Sequence, residues 1–190
     1  MESALINYLQ QLRPIPESDK QLIVSSFEKM SFKQGKYLIK AGKASRYLFF
    51  ICKGILKFLI PNSAGKEITY FFLREQQFIT LLNSNGLENP AEQGIQAITD
   101  VDVLAINKSK LNSLIKQLPY FQDLLNQIAQ QSVLDKIFAR NAYFGYDSEK
   151  RYKIFLEKES EIALKVAPSD IASYLGITPQ SLTRLRKNMR

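Results

Sequence analysis

The sequence predicts an α+β fold: an N-terminal β jelly roll with flanking helices, then a long helix and a C-terminal pair of short helices. Three observations support this prediction. Short apolar runs divided by turn residues recur about every ten residues through 31–107, as in small antiparallel β domains. After Ser109 the apolar residues take up helical spacing. Residues 168–190 read as two helices around a tight turn.

Two helices open the chain. Apolar residues at helical spacing predict helices over residues 2–12 and 17–30. Pro14 and Pro16 separate them, because proline removes a backbone donor and breaks a helix interior. One β domain over roughly 31–107 follows. Its predicted strands are Tyr37–Ile39, Tyr47–Ile51, Ile55–Ile60, Ile68–Leu73, Gly94–Ile98 and Val101–Ile106.

A helix of some twenty residues is predicted after Pro119. Its apolar positions, from Phe121 to Phe138, form a stripe wider than one contact with the β domain would cover. The pattern favours a coiled seam between two copies of the chain through 119–142. A helix packed only on its own domain is the alternative. Residues 143–150 are the predicted linker, with Asp147 or Ser148 capping the next helix, 149–158.

The last segment carries the clearest local signals, those of a helix-turn-helix. We expect Ser169 to cap its first helix and Gly176 to end it in the left-handed conformation. Thr178 is placed to cap the second helix, with Pro179 in its first turn. The residues expected to pack inward are Ile171, Ala172, Leu175, Leu182 and Leu185.

The outer face of the second helix fits the major groove of DNA. Gln pairs with adenine and Arg with guanine through two hydrogen bonds each, so Gln180 and Arg184 are the predicted base readers, with Ser181 as a third. The predicted phosphate contacts are Thr178, Thr183, Lys187 and Arg190. A chance helical hairpin with a basic, solvated tip is the alternative interpretation.

Composition and charge agree with a nucleic-acid partner. The 190 residues carry a formal net charge of +8 and a pI near 9.5, which favours a polyanion. The sequence has no histidine, so Ser-His-Asp catalysis and histidine-ligated metals are excluded. With no other catalytic motif, we expect no enzyme activity, cofactor or metal site.

The cellular compartment follows from cysteine usage and hydropathy. Cys52 is the single cysteine and can form no internal disulfide, which fits a reducing compartment. No apolar stretch approaches the roughly 18 residues of a membrane helix, and the start lacks a signal-peptide pattern. We therefore expect a cytoplasmic protein without membrane contact. Cys52 lies in an apolar run, which favours a small buried hydrophobe over a redox sensor.

Three segments give the chain a resemblance to the Crp/Fnr family of bacterial transcription regulators: Tyr47–Lys57, Gly65–Ile68 and Ile171–Thr178. It is similar above all to the short branch common in Bacteroidetes. The resemblance implies DNA-binding regulation by a twofold dimer on two half-sites. In that family the positions of Pro179, Gln180 and Arg184 touch bases, and since Pro179 cannot, specificity should differ. The implied domains are a cyclic-nucleotide-binding-like effector domain (1–118), a dimerisation helix (119–142) and a helix-turn-helix domain (143–190).

The resemblance is weakest where family members bind cyclic nucleotides. Those sensors hold the ribose with a Gly-Glu pair and the cyclic phosphate with a Pro-Arg pair. Here Pro90 is followed by Ala91 instead of arginine, and the position expected for the Gly-Glu pair falls near Thr80 and Leu81. With Phe78, these residues form the predicted effector pocket. Because a buried phosphate needs a nearby cation, we expect no cyclic AMP binding in the familiar way, and a different effector or none.

One other class of function stays open at this point. A small-molecule-binding or protein-interaction module could retain a vestigial helix-turn-helix that no longer reads DNA. Such a protein would bind a ligand tightly and show no preference among DNA sequences.

Overall fold

The computed structural model describes residues 1–43, 46–79 and 92–189, and it has the predicted mixed architecture. Its helices are α1 (Glu2–Leu12), α2 (Glu17–Ser26), α3 (Lys108–Gln117), α4 (Tyr120–Asn141), α5 (Ser148–Lys158), α6 (Ser160–Lys165), α7 (Pro168–Leu175) and α8 (Pro179–Asn188). Its strands are β1 (Glu28–Phe32), β2 (Tyr37–Ile39), β3 (Tyr47–Lys53), β4 (Leu56–Pro61), β5 (Glu67–Leu73), β6 (Phe78–Ile79), β7 (Gly94–Ala97) and β8 (Val101–Asn107).

The strands form two antiparallel sheets that face each other. One sheet has the order β1-β8-β3-β6 and the other β2-β7-β4-β5. Buried side chains from both sheets meet between them, among them Phe49 and Val103 from the first and Leu56 and Ile95 from the second. This is the arrangement of a jelly roll, in which inward-facing residues alternate along each strand.

The first sheet is buried on both faces. Phe49 and Ile51 point between the sheets, whereas Phe50 packs outward among the helices with Leu104 of β8. The outer layer consists of α1, α2, α3 and the first half of α4. Burial on both faces explains why β3 and β8 read as continuous apolar runs rather than as alternating patterns.

The predicted strands agree with the observed ones to within two residues at each end, and α4 follows Pro119 as predicted. The second helix is shorter than predicted: it ends at Ser26, because residues 28–32 pair with β8, with Met30 opposite Val103. The sequence pattern also missed β6 and α6. Both are too short for periodicity to reveal them.

Helix α4 has two apolar faces. Phe121, Leu124 and Ile128 are buried against the jelly roll and its helices. Ile137 follows Ile128 by nine residues, which at about 100° per residue places it on the opposite side of the helix. That opposite side is exposed over Val133, Leu134, Ile137 and Phe138. We call these four residues the exposed apolar face of α4.

Among the described residues, no helix is both long and apolar enough to cross a lipid bilayer.

The turn between β3 and β4 gives a test of the fold. Gly54 has φ +96°, and a Cβ there would collide with the carbonyl oxygen of Asp100 and lie 2.9 Å from Thr99 Oγ1. Left-handed backbone and overpacking together predict that Gly54→Ala lowers the free energy of unfolding by about 2–4 kcal/mol. Gly65→Ala is the matched control, since Gly65 has φ +73° with open space around it. Urea unfolding should show a loss of about 1 kcal/mol there; equal losses at the two sites would contradict the close approach.

Candidate nucleic-acid interface

Helices α7 and α8 and the turn between them form the predicted helix-turn-helix. Gly176 ends α7 with φ +66° and ψ 36°, the left-handed conformation expected of it. Thr178 caps α8, where its Oγ1 accepts a hydrogen bond of 3.1 Å from the backbone N–H of Ser181. Pro179 occupies the first turn of α8. The predicted cap at Ser169 is wrong, because Pro168 already lies within the helix and Ala167 is the cap residue, with no side-chain hydrogen bond.

The inner faces of the two helices are fully packed. Ala172 is completely buried, which lets the two helix backbones approach closely, and Leu182 is completely buried opposite it. All five residues predicted to face inward are buried: Ile171, Ala172, Leu175, Leu182 and Leu185.

The outer face of α8 is free for a partner. Gln180, Arg184 and Lys187 are exposed, and no hydrogen bond or ion pair joins their side chains to the described part of the chain. Thr183 is exposed too, and its hydroxyl donates to the carbonyl of Pro179 at 2.9 Å. We call Gln180, Thr183, Arg184 and Lys187 the reading face.

The remaining predicted DNA contacts differ from the reading face. Ser181 is half-buried, and its Oγ accepts a hydrogen bond of 2.9 Å from Thr178 Oγ1. Both hydroxyls therefore serve the cap of α8 in the free protein. Arg190, a predicted phosphate contact, lies outside the described residues.

Two arginines hold the helix-turn-helix together, and the sequence pattern missed both roles. Arg151 Nη1 donates to the carbonyl of Leu175 at 3.0 Å, which satisfies an unpaired carbonyl at the C-terminus of α7 with a positive charge. Arg186 Nε donates to the hydroxyl of Tyr152 at 3.0 Å. Both contacts join the helix-turn-helix to α5, since Arg151 and Tyr152 belong to that helix. At the start of α5 the predicted capping residue Asp147 accepts from the N–H of Lys150 at 2.8 Å.

Helix α7 rests directly on the jelly roll. Lys57 of β4 pairs with Asp170 at 2.8 Å, and the backbone N–H of Thr69 in β5 donates to Ser173 Oγ at 2.9 Å. The ring of Phe72 lies 5.0 Å from that of Tyr174. One apolar cluster thus joins jelly-roll and helix-turn-helix residues.

A cavity of about 430 Å³ lies between the jelly roll and α4. Phe78, one of the five residues of the predicted effector pocket, lines this cavity. The other four, Thr80, Leu81, Pro90 and Ala91, lie outside the described residues. Most of the described lining is aliphatic or aromatic, and it contains no carboxylate. Its cations are Arg46, Lys108 and Lys136, and burial lowers the pKa of the Lys136 ammonium.

Cys52 is half-buried. Its Sγ lies 3.8 Å from the carbonyl oxygen of Phe50 and 3.9 Å from that of Met1. Burial raises the pKa of the Cys52 thiol, which disfavours the thiolate that redox chemistry requires. Elsewhere in residues 1–43, 46–79 and 92–189, no three or more Cys, Asp or Glu side chains come together as a metal site would need.

The cap at the end of α7 gives a stability test. Arg151→Met removes the charged donor to the carbonyls of Leu175 and Tyr146 and should lower the free energy of unfolding by about 1–2 kcal/mol. Lys150→Met makes the same charge change one residue earlier, at an exposed site, and should cost less than about 0.5 kcal/mol. Chemical denaturation measures both; equal effects would show that the Arg151 contact contributes nothing.

Comparison with known proteins places this geometry among known folds. The family model of the cyclic nucleotide-binding domain matches residues 29–118. No curated protein sequence gives a significant match. Among solved structures, FixK2 from Bradyrhizobium japonicum has a TM-score of 0.71 at 16% identity, over 86% of this chain and 84% of that one.

Two further structures agree over most of their length. CLP of Xanthomonas campestris, a c-di-GMP responsive global regulator, has a TM-score of 0.72 at 14% identity, over 92% of this chain and 91% of its own. A chain from Eubacterium rectale, described as a transcriptional regulator of the Crp/Fnr family, has a TM-score of 0.73 at 22% identity. The match covers 96% of this chain and 87% of that one. The predicted resemblance is therefore confirmed at the level of the fold: residues 29–118 match the cyclic nucleotide-binding domain, and the chain shares its fold with these three structures, one of which is described as a Crp/Fnr regulator.

Proposed function

We propose that this protein is a sequence-specific DNA-binding transcription regulator that acts as a homodimer in the cytoplasm. The observation that carries the proposal is the reading face of α8. Its polar and cationic side chains are exposed, while the buried face of the same helix is held by Leu182 and Leu185. A rigid helix that presents unengaged base-reading side chains is what major-groove recognition requires.

The chemistry of the reading face divides into base contacts and phosphate contacts. Gln180 lies in the first turn of α8 and Arg184 one turn later, so both side chains can reach base edges when the N-terminal half of the helix enters the groove. We assign Gln180 to adenine and Arg184 to guanine, with Ser181 beside them. Lys187, Arg190, Thr178 and Thr183 are assigned to phosphates, which fix the position of the helix without reading sequence.

The exposed apolar face of α4 supports a dimer. Phe138 is 66% exposed and Ile137 49%, and the four residues of this face are spaced as pairs one turn apart. The two-helix seam predicted through 119–142 would remove these side chains from water. Twofold symmetry then presents two reading faces to half-sites about 34 Å apart along the DNA.

The cavity beside α4 is the proposed effector site. Its mainly apolar lining, with Lys136 and two further cations, suits an anion with an apolar body better than the ribose and cyclic phosphate of cyclic AMP. Because α4 lines this cavity and also carries the exposed apolar face, a ligand there would act on the dimer helix directly.

The alternative function is a small-molecule-binding or protein-interaction module with a vestigial helix-turn-helix. The unengaged side chains of Gln180, Arg184 and Lys187 weigh against it. The similar solved structures named as regulators also support the regulator interpretation over an enzyme.

Selection from a randomised DNA pool tests the proposal. The wild-type protein should enrich a palindrome with half-sites about ten base pairs apart, and binding should weaken steeply as salt rises. Gln180→Ala or Arg184→Ala should relax specificity at one position per half-site, with a cost of about 1–3 kcal/mol there.

Lys187→Ala is the matched control for this selection. It should weaken binding to all sequences alike, without changing the enriched sequence. The slope of the logarithm of the binding constant against the logarithm of salt concentration should fall by about one released counterion per subunit. Ligand binding with no enriched sequence in the wild-type pool would favour the vestigial module.

The dimer is tested by placing charge on the exposed apolar face of α4. Ile137→Asp with Phe138→Asp should convert a dimer of twice 21.8 kDa into a monomer in analytical ultracentrifugation, because carboxylates in an apolar seam are costly to bury. Leu164→Asp is the control, since Leu164 is 88% exposed on α6, and it should leave the mass unchanged. A dimer that survives the double substitution would place the interface elsewhere.

The effector prediction is tested by calorimetric titration. Cyclic AMP should give no saturable heat at millimolar concentration, and an aliphatic or aromatic carboxylate should bind with an affinity that Lys136→Met lowers about tenfold, equivalent to about 1.4 kcal/mol. Tight cyclic AMP binding would overturn this assignment.

A further inference from the structure

A polar cluster joins the first helix of the helix-turn-helix to the jelly roll. Asp170 Oδ1 accepts from Lys57 Nζ at 2.8 Å and from Thr69 Oγ1 at 3.1 Å, and Thr69 N–H donates to Ser173 Oγ at 2.9 Å. The Lys57 and Asp170 side chains are only 17% and 20% exposed, and Thr69 is 3% exposed. We call Lys57, Thr69, Asp170 and Ser173 the interdomain cluster.

The interdomain cluster fixes the orientation of α7 on the jelly roll as well as its contact with the strands. Apolar packing between Phe72 and Tyr174 would tolerate a small rotation of α7, because such contacts are non-directional. The hydrogen bonds of the cluster do not tolerate such a rotation, because each bond requires a particular distance and angle. Asp, Ser and Thr are also short side chains, so the bonds tie the helix backbone closely to the strand.

An irregularity in β5 makes this docking geometry possible. Phe58 pairs with Phe71, but the next residue, Leu59, pairs with Thr69, so Tyr70 is an extra residue in the strand. In a regular strand, Thr69 and Phe72 would face opposite sides of the sheet. The bulge brings both side chains to the side where α7 lies, with Thr69 Oγ1 on Asp170 and Phe72 on Tyr174.

The same strand also contacts α4. Arg140 lies over the ring of Tyr70 at 4.7 Å, and Lys136 over the ring of Phe71 at 5.7 Å. β5 is therefore packed between the helix that carries the exposed apolar face and the helix that supports α8. Contacts run from the proposed dimer axis through β5 to the helix-turn-helix.

The docking leaves the reading face open. The interdomain cluster engages α7, whereas Gln180, Arg184 and Lys187 on α8 stay exposed. The contact between the domains therefore does not block DNA. It holds the recognition helix at a fixed place relative to α4.

We propose that the residues of the interdomain cluster are positioning residues, which set the separation and angle of the two recognition helices in the dimer and so restrict the protein to one half-site spacing. The inference rests on the proposed function as a dimeric DNA binder. A helix-turn-helix free to rotate would lose orientational freedom when both half-sites are bound, and it would accept several spacings.

The test uses the palindrome enriched by the wild-type protein and versions with one or two base pairs added to or removed from its centre. Wild-type affinity should fall at least tenfold for a change of one base pair. Asp170→Asn and Ser173→Ala should bind the original palindrome about five- to tenfold more weakly and lose less than threefold further when its spacing changes. Affinity for an isolated half-site should stay within twofold of wild type in both variants.

Glu149→Gln is the matched control for Asp170→Asn. Each substitution removes one negative charge from the helix-turn-helix domain, and Glu149 is in an exposed pair with Lys153. The loss of one negative charge alone should strengthen DNA binding slightly. The control should therefore keep the strict spacing of the wild type, and weaker palindrome binding by Asp170→Asn cannot come from charge.

Hydrogen exchange gives a second measurement that does not need DNA. The amide of Thr69 should be protected in the wild type, because Ser173 Oγ accepts its hydrogen bond, and exchange at least tenfold faster in Asp170→Asn. The amide of Leu104 in the core should exchange equally in both proteins, which shows that the fold is intact.

The outcomes separate the two proposals. If the wild type selects no DNA sequence, the proposed function fails and the inference about half-site spacing fails with it. The exchange of Thr69 then reports only whether the cluster holds α7 on the jelly roll. If the wild type shows strict spacing and Asp170→Asn shows the same strict spacing, the inference is overturned while the function stands. Palindrome binding by Asp170→Asn that is tighter than that of Glu149→Gln would also overturn it, because the cluster would then restrain binding.

Discussion

The structure depends on the packing of the helix-turn-helix against the second sheet of the jelly roll. Residues 148–189 form a unit close to the size at which a chain no longer builds a sufficient core alone, about 40 residues. Its apolar cluster is completed by Ile55 and Ile98 at the end of the jelly roll and by Phe72 of β5. The helix-turn-helix and the jelly roll therefore share one apolar cluster.

This shared cluster gives β5 a central place. Its inward residues, such as Leu73, belong to the jelly roll, and its outward residues contact α4 and α7. A bulge of one residue lets this single strand contact the jelly-roll core, α4 and α7. A ligand beside Lys136 would lie against the helix that Phe71 contacts, so the same strand connects the cavity to the helix-turn-helix.

Local patterns in the sequence predicted most of the fold and the reading face. Gly176, Thr178 and Pro179 each act within a few residues of their own position, and the structure has all three in the expected roles. Ser169 failed as a cap because Pro168 already begins the helix, so the local pattern fitted two starting points. The predicted helix over 17–30 is wrong at residues 28–30, which form the start of β1. A short apolar spacing fits both the end of a helix and an edge strand.

The contacts between domains could not be predicted in this way. Lys57 and Asp170 are 113 residues apart, and Thr69 and Ser173 are 104 apart. No spacing rule connects such pairs, and each residue alone reads as an ordinary surface side chain. Arg151 likewise gives no local sign that it reaches the end of α7, 24 residues later. These contacts follow from how the chain folds back on itself.

Protection of guanine N7 from methylation on the selected palindrome tests directly whether α8 reads the major groove. N7 lies in that groove, and an arginine bound to guanine covers it. Two protected guanines, related by the twofold axis and about one helical turn apart on one face of the DNA, should appear with the wild type and disappear with Arg184→Ala. Protection that is absent, or that persists in Arg184→Ala, would contradict recognition by this helix.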